Sequence, residues 1–227
     1  MVDVGTGIGM AGKTVVAIKN TASFLAESYQ KRQKKRVQLF FECIELRYAD
    51  ADPELIAQLN AHLESEEGQE LLASFADSIT QTSCARVHMA LAMLMCNDPE
   101  HQFNDSERYT FVCAMIGATD ELIDFFLDAA ALEKTSEGYL YPRACISSGN
   151  CEKFKRNRWD DEAIFVYVND LIRLRLLLPD PLTAPTIHGS NNDWALWFGI
   201  TDRTMKMANL LRKAGELLKF ANQDTKD

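Results

Sequence analysis

Residues 7–14, GIGMAGKT, carry the most explicit chemistry in this chain, because they match the phosphate-loop pattern G-x-x-x-x-G-K-[ST] at every position. In such a loop Gly7 and Gly12 let backbone N–H groups close around phosphates, Lys13 reaches the β and γ phosphates, and Thr14 holds Mg²⁺. The cofactor would then be ATP or GTP with Mg²⁺. The same chemistry demands a strand before the loop, a parallel sheet to receive it and a second carboxylate at a strand end. Only Met1, Val2, Asp3 and Val4 are available for the strand. The apolar run 164–168, IFVYV before Asn169 and Asp170, belongs to a longer helical period that reaches Leu178. The motif therefore stands without its context. A glycine-rich leader into a helix is the expectation, with nucleotide binding kept as the alternative.

The other chemically capable residues read as structure. Six cysteines are scattered without a C-x-x-C pair, and Cys145 with Cys151 lacks zinc-knuckle spacing, so they are expected as reduced thiols. His88 sits in ARVHMALAMLMC with no carboxylate or second histidine at the i+3 or i+4 positions that a helical metal site uses, which predicts a core histidine. Asp120, Glu121, Asp124 and Asp128 give one helix an acidic face, but no E-x-x-H partner accompanies it, and a solvated face is expected. No catalytic residue and no metal site emerge, and the chain is expected not to be an enzyme.

Charge is unevenly placed. Residues 1–36 hold seven Lys or Arg against Asp3 and Glu27, a net of +5, which leaves −14 on the remainder of a chain whose total is −9. A basic arm on an acidic body suits an anionic surface or the body of another subunit, and the body lacks the basic face of a nucleic-acid binder. The arm's candidate partner-binding residues are Lys31, Arg32, Lys34, Lys35 and Arg36. Before them Val15, Ile18, Ala22, Leu25 and Tyr29 form one apolar stripe, which could also rest on a membrane surface. No run of about 18 apolar residues and no signal-peptide pattern occurs, so a cytoplasmic location is expected.

Hydrophobic residues at 47% and charged residues at 25% are globular values, and the positioning elements are mostly helical. Four segments are expected: a glycine-rich leader and basic amphipathic helix (1–36), a helical domain (37–133), a connection (134–159), and a C-terminal unit (160–227). Asp52-Pro53-Glu54, Ser65, Asp105-Ser106-Glu107 and Thr119-Asp120-Glu121 mark helix starts, and residues 84–96, apolar all round, mark the central helix. Inward positions include Ile56, Tyr109 and Ile116. In the last unit a helix over 161–178 is followed by a hairpin within 183–200, around Gly189-Ser190-Asn191-Asn192, and by a helix opened by Thr201. Helix, hairpin and Thr-capped helix are the order of a winged helix's second half. The fold class is thus mainly α, with a winged-helix-like α+β end.

The stretch DLIRLRLLLP, a turn-containing ribbon, and then WFGITDRTMKMANLLRKAG resembles the closing segment of bacterial helical proteins of the abortive-infection alpha type. The likeness implies a bacterial or phage setting and a part in phage–host conflict, and it carries no catalytic residues. This sequence departs from it in a polar, tryptophan-rich ribbon and in the Asp-Arg after Thr201. The expected function is a protein-interaction or regulatory protein, self-associating, with a protein partner that meets the basic arm and Trp194 and Trp197. The alternative of a DNA-binding regulator is weakened by the acidic residues that outnumber Arg173 and Arg175 on the would-be recognition helix.

Overall fold

α1 (Ile8–Arg47) runs without a break through the cluster of cations, because Lys and Arg are good helix formers and the apolar phase resumes beyond them. At 1.5 Å per residue it is about 60 Å long. Its C-terminal part is anchored: Phe40, Cys43 and Ile44 are buried, and Arg36 Nη1 donates a 2.6 Å hydrogen bond to the Thr80 carbonyl. The computed structural model describes residues 8–47, 53–96, 102–136, 138–156, 159–182 and 194–224, with 8–25, Leu55, Arg156 and 221–224 described as backbone alone.

α2 (Pro53–Glu64) and α3 (Glu66–Gln81) meet at a fixed corner. Ser65 Oγ accepts from the Gly68 N–H at 3.1 Å and donates to the His62 carbonyl at 2.6 Å. Position 68 must be glycine, since a Cβ there would run into the His62 carbonyl oxygen. α4 (Ala85–Met95) is the central helix: every residue from Val87 to Met95 is buried, and it packs against both α1 and α9. α5 (Asp105–Ala114) opens on a capping box between Asn104 and Glu107, and α6 (Asp120–Ala130) on Thr119, whose Oγ1 accepts from the Leu122 N–H. Three expected inward residues turn out exposed. Tyr109 is 69% exposed, and Ile56 and Ile116 also face solvent. Tyr109 lies two residues before the buried Phe111, about 200° around the helix, so both cannot face the core.

The C-terminal part holds β1 (Arg143–Ser147), α7 (Glu152–Arg156), α8 (Asp161–Arg173), β2 (Leu178–Pro179), β3 (Ala195–Gly199) and α9 (Asp202–Asp224). The strands form one antiparallel sheet in the order β1-β3-β2, with Arg143 opposite Gly199 and Leu178 opposite the same glycine. The chain is therefore mainly α with a small β segment, as its pattern predicts. Two details differ from expectation. The segment 134–159, expected as a connection, contributes β1. The helix over 161–178 stops at Arg173, because Arg175 takes a left-handed conformation (φ 61°) and the N–H groups of Leu176 and Leu177 turn back to the Leu171 carbonyl. Leu178 and Pro179 are thereby released as an edge strand, a position where a proline is tolerated. Residues 183–193, where the hairpin turn was expected, lie outside the described residues.

Candidate interaction surfaces

Gly7 lies outside the described residues. Gly12, Lys13 and Thr14 fall within the helical backbone of α1, and their side chains are not among those described. Lys31, Arg32, Lys34 and Lys35 are exposed and pair with no carboxylate among the described residues, whereas Arg36 is tied to α3 through Thr80.

The two tryptophans do not share a surface. Side chains alternate along a strand; Phe198 is buried and Leu196 and Trp194 pack on the core, which leaves Trp197 on the outer face of the sheet. Trp194 rests on Phe165 of α8, ring centroids 5.2 Å apart. Trp197 lies under the Arg143 guanidinium, 3.8 Å from the ring centroid, and Tyr139 stands 4.8 Å from the same guanidinium. Arg143 Nη2 also meets Asp180 Oδ2 at 2.6 Å, with only 5% of the arginine side chain exposed. The outer sheet face is thus closed by a cation held between two rings and one carboxylate. Its charge and aromatic groups are already used within the chain.

A groove of about 870 Å³ opens between α4, α6, α8 and α9. Behind it Phe125, Phe154, Trp159 and Tyr167 form an aromatic cluster with centroids 5.1–6.2 Å apart. The α6 carboxylates line or flank this groove; Asp120, Glu121 and Asp124 are exposed, as their spacing predicts, and all four are also paired with side chains of other segments. Asp124 pairs with Arg86 of α4 at 2.7 Å, Asp128 with Lys153 of α7 at 2.8 Å, and Glu121 accepts from the Tyr167 hydroxyl of α8 at 3.3 Å. Asp120 accepts from the Cys84 thiol at 2.9 Å. Burial, and then that hydrogen bond to a carboxylate, pushes the Cys84 thiol up to about 12, so it serves as a protonated donor. The four acids fasten α6 to α4 and its N-cap, to α7 and to α8. No group of three or more His, Cys, Asp or Glu suited to a metal occurs among the described residues.

His88 is fully buried and keeps one bond, from Nε2 to the Thr82 carbonyl at 3.3 Å, while Nδ1 has no partner. Burial lowers its pKa, which holds it neutral. Among the described residues no helix is long and apolar enough to cross a membrane.

α8 presents the surface that sequence reasoning undervalued. Asp160 caps it through the Ala163 N–H at 2.8 Å, and Ile164, Val168 and Leu171 point inward. Glu162, Val166, Asn169 and Arg173 then follow one another along the outer side, all exposed. Val166 is 52% exposed, beside the Phe165–Trp194 pair, and Arg173 is bound to Asp170 at 3.0 Å. The signal was present in the sequence as an apolar residue out of phase with the buried stripe.

Set against models of protein families, curated proteins and solved structures, the chain finds no match. The resemblance to the abortive-infection alpha proteins gains no support there.

Proposed function

We propose that the chain is a non-enzymatic protein-interaction module whose C-terminal part works as a winged helix turned to protein binding. The described order of strand, two helices, strand and strand, with the last strand between the first two, supports this reading, in which α8 is the counterpart of a recognition helix. One observation carries the reading. The outer side of α8 sets the exposed Val166 between Glu162 and Asn169, and its single cation, Arg173, is paired with Asp170. A recognition helix that meets phosphates needs free Lys or Arg there, whereas an exposed apolar centre with a polar rim suits a protein surface. The resemblance noted above adds a bacterial or phage setting, with phage–host conflict as the context of that binding.

Affinity capture from the native host, followed by mass spectrometry, is the test. A specific partner that is lost with Val166→Arg and kept with an exposed control such as Glu216→Gln supports the reading. Capture unchanged by Val166→Arg sinks it. A low-salt shift of duplex DNA that disappears with Arg173→Glu would return the helix to DNA recognition.

A further inference from the structure

Two clusters of unpaired charge stand at opposite ends of α3. At one end Arg36 reaches Thr80, and just beyond it α1 presents Lys31, Arg32, Lys34 and Lys35, all exposed and without a carboxylate partner among the described residues. At the other end the α2–α3 corner presents Glu64, Glu66, Glu67 and Glu70, equally exposed and without a cation partner among the described residues. The corner is rigid, set by the two Ser65 hydrogen bonds and by the requirement for glycine at position 68. At 1.5 Å per residue, Thr80 and Glu66 stand about 20 Å apart along α3. That is more than two screening lengths of about 8 Å at physiological salt, so the clusters cannot neutralise each other within one chain.

We propose that the 31–35 segment of α1 docks on the acidic α2–α3 corner of a second copy of this chain, in a two-fold dimer where each copy gives its basic helix and receives the other's. A two-fold axis across the α1–α3 layer brings the basic end of each copy to the acidic end of the other, and both contacts form together. Four cations then face four carboxylates, twice over. Charge also selects this partner above a lipid surface or a duplex. The chain carries −9 overall, with +5 confined to residues 1–36, so a broad anionic surface repels the body as soon as the helix draws it near, whereas the corner is a local acidic patch with the same number of charges. This surface is separate from the outer side of α8, so either assignment can fail without the other.

Sedimentation equilibrium on the full chain reads the result. At an ionic strength of about 0.05 M the mass approaches twice that of the monomer, and at about 0.5 M it falls toward one, because exposed ion pairs are screened. The triple variants K31E/K34E/K35E and E64K/E67K/E70K are each monomeric at low salt. Mixed in equal amounts they form a heterodimer, since the acidic α1 of the first then meets the basic corner of the second and the basic α1 of the second meets the acidic corner of the first. Far-UV circular dichroism confirms that both variants fold. A wild-type monomer at low salt, an association that K31E/K34E/K35E leaves intact, or a mixture that stays monomeric overturns the proposal. So does a monomer whose only partner among these probes is an anionic phosphatidylserine vesicle or a DNA duplex.

Discussion

Asp180→Ala tests whether the clasp on the outer sheet face holds the C-terminal strands together. Arg143 and Asp180 meet at 2.6 Å, and at an effective dielectric constant of 20 the gross attraction is about 6 kcal/mol. Desolvation of the guanidinium offsets part of this. Breaking a buried pair from one side costs about 3–5 kcal/mol, and the 18% exposure of Asp180 lets water reach the gap, which favours the lower end, about 3 kcal/mol. Arg143→Met removes the charge and keeps the bulk between Tyr139 and Trp197, so it should cost less, about 1–2 kcal/mol for the lost cation–π contact and the freed carboxylate. Adding Asp180→Ala to Arg143→Met should then cost under about 0.5 kcal/mol, a coupling energy of at least about 2.5 kcal/mol.

Urea unfolding of the four proteins of this cycle gives the coupling directly. Asp180 has a second task, since its Oδ1 accepts from the Leu182 N–H at 3.2 Å, so hydrogen exchange in β3 should also speed up in Asp180→Ala. Equal costs for Asp180→Ala in both backgrounds would refute the reasoning, because the carboxylate would then contribute nothing through the arginine.

Gly199→Ala should destabilise the sheet by about 1–3 kcal/mol in the same assay, as a Cβ there runs into the Tyr141 ring and comes to 3.0 Å from Leu178 Cβ; Tyr141→Ala should recover part of it. His88 is held neutral by burial, with a folded pKa below the ordinary 6.5, so the unfolded chain binds more protons as the pH falls through that value. Its contribution is therefore complete above pH 6.5 and is lost on acidification, with a slope of at most about 1.4 kcal/mol per pH unit that His88→Gln should remove from a pH series of urea midpoints. Arg175→Gly should raise stability by about 0.5–1 kcal/mol in urea, since glycine adopts the left-handed backbone at that position without strain. Calorimetric titration of ATP or GTP with Mg²⁺ is expected to give no heat; saturable heat that disappears with Lys13→Ala would establish the phosphate loop instead.

What could be read ahead of the structure follows the range of each interaction. Ser65 and Thr119 announce their helices because a cap is a bond to a backbone N–H three residues away, whereas the start expected at Asp105 is capped one residue earlier, by Asn104. The unbroken apolar character of α4 announces burial on every side for the same local reason. β1 was missed because the sequence Arg-Ala-Cys-Ile-Ser has little strand character of its own and owes its extended form to pairing with the distant β3. The end of α8 was missed because arginine is an unusual residue for a left-handed turn, and nothing nearby in the chain reports that Leu178 has a strand partner.

The same division explains the surfaces. Sequence spacing marks the α6 carboxylates as a solvated face, and three of the four are exposed, but spacing cannot show that each is also bound by a thiol, guanidinium, ammonium or hydroxyl from another segment. Trp194 and Trp197 looked like one patch, although a separation of three residues on a strand puts them on opposite faces, and the period of two would have separated them. Once those groups are assigned to internal bonds, the exposed chemistry that remains is smaller and more specific. Among the described residues it includes the outer side of α8 around Val166, the four cations of α1 and the four carboxylates of the α2–α3 corner. Groups without partners among the described residues are ones that a second molecule can satisfy, and that is the physical ground on which association is proposed.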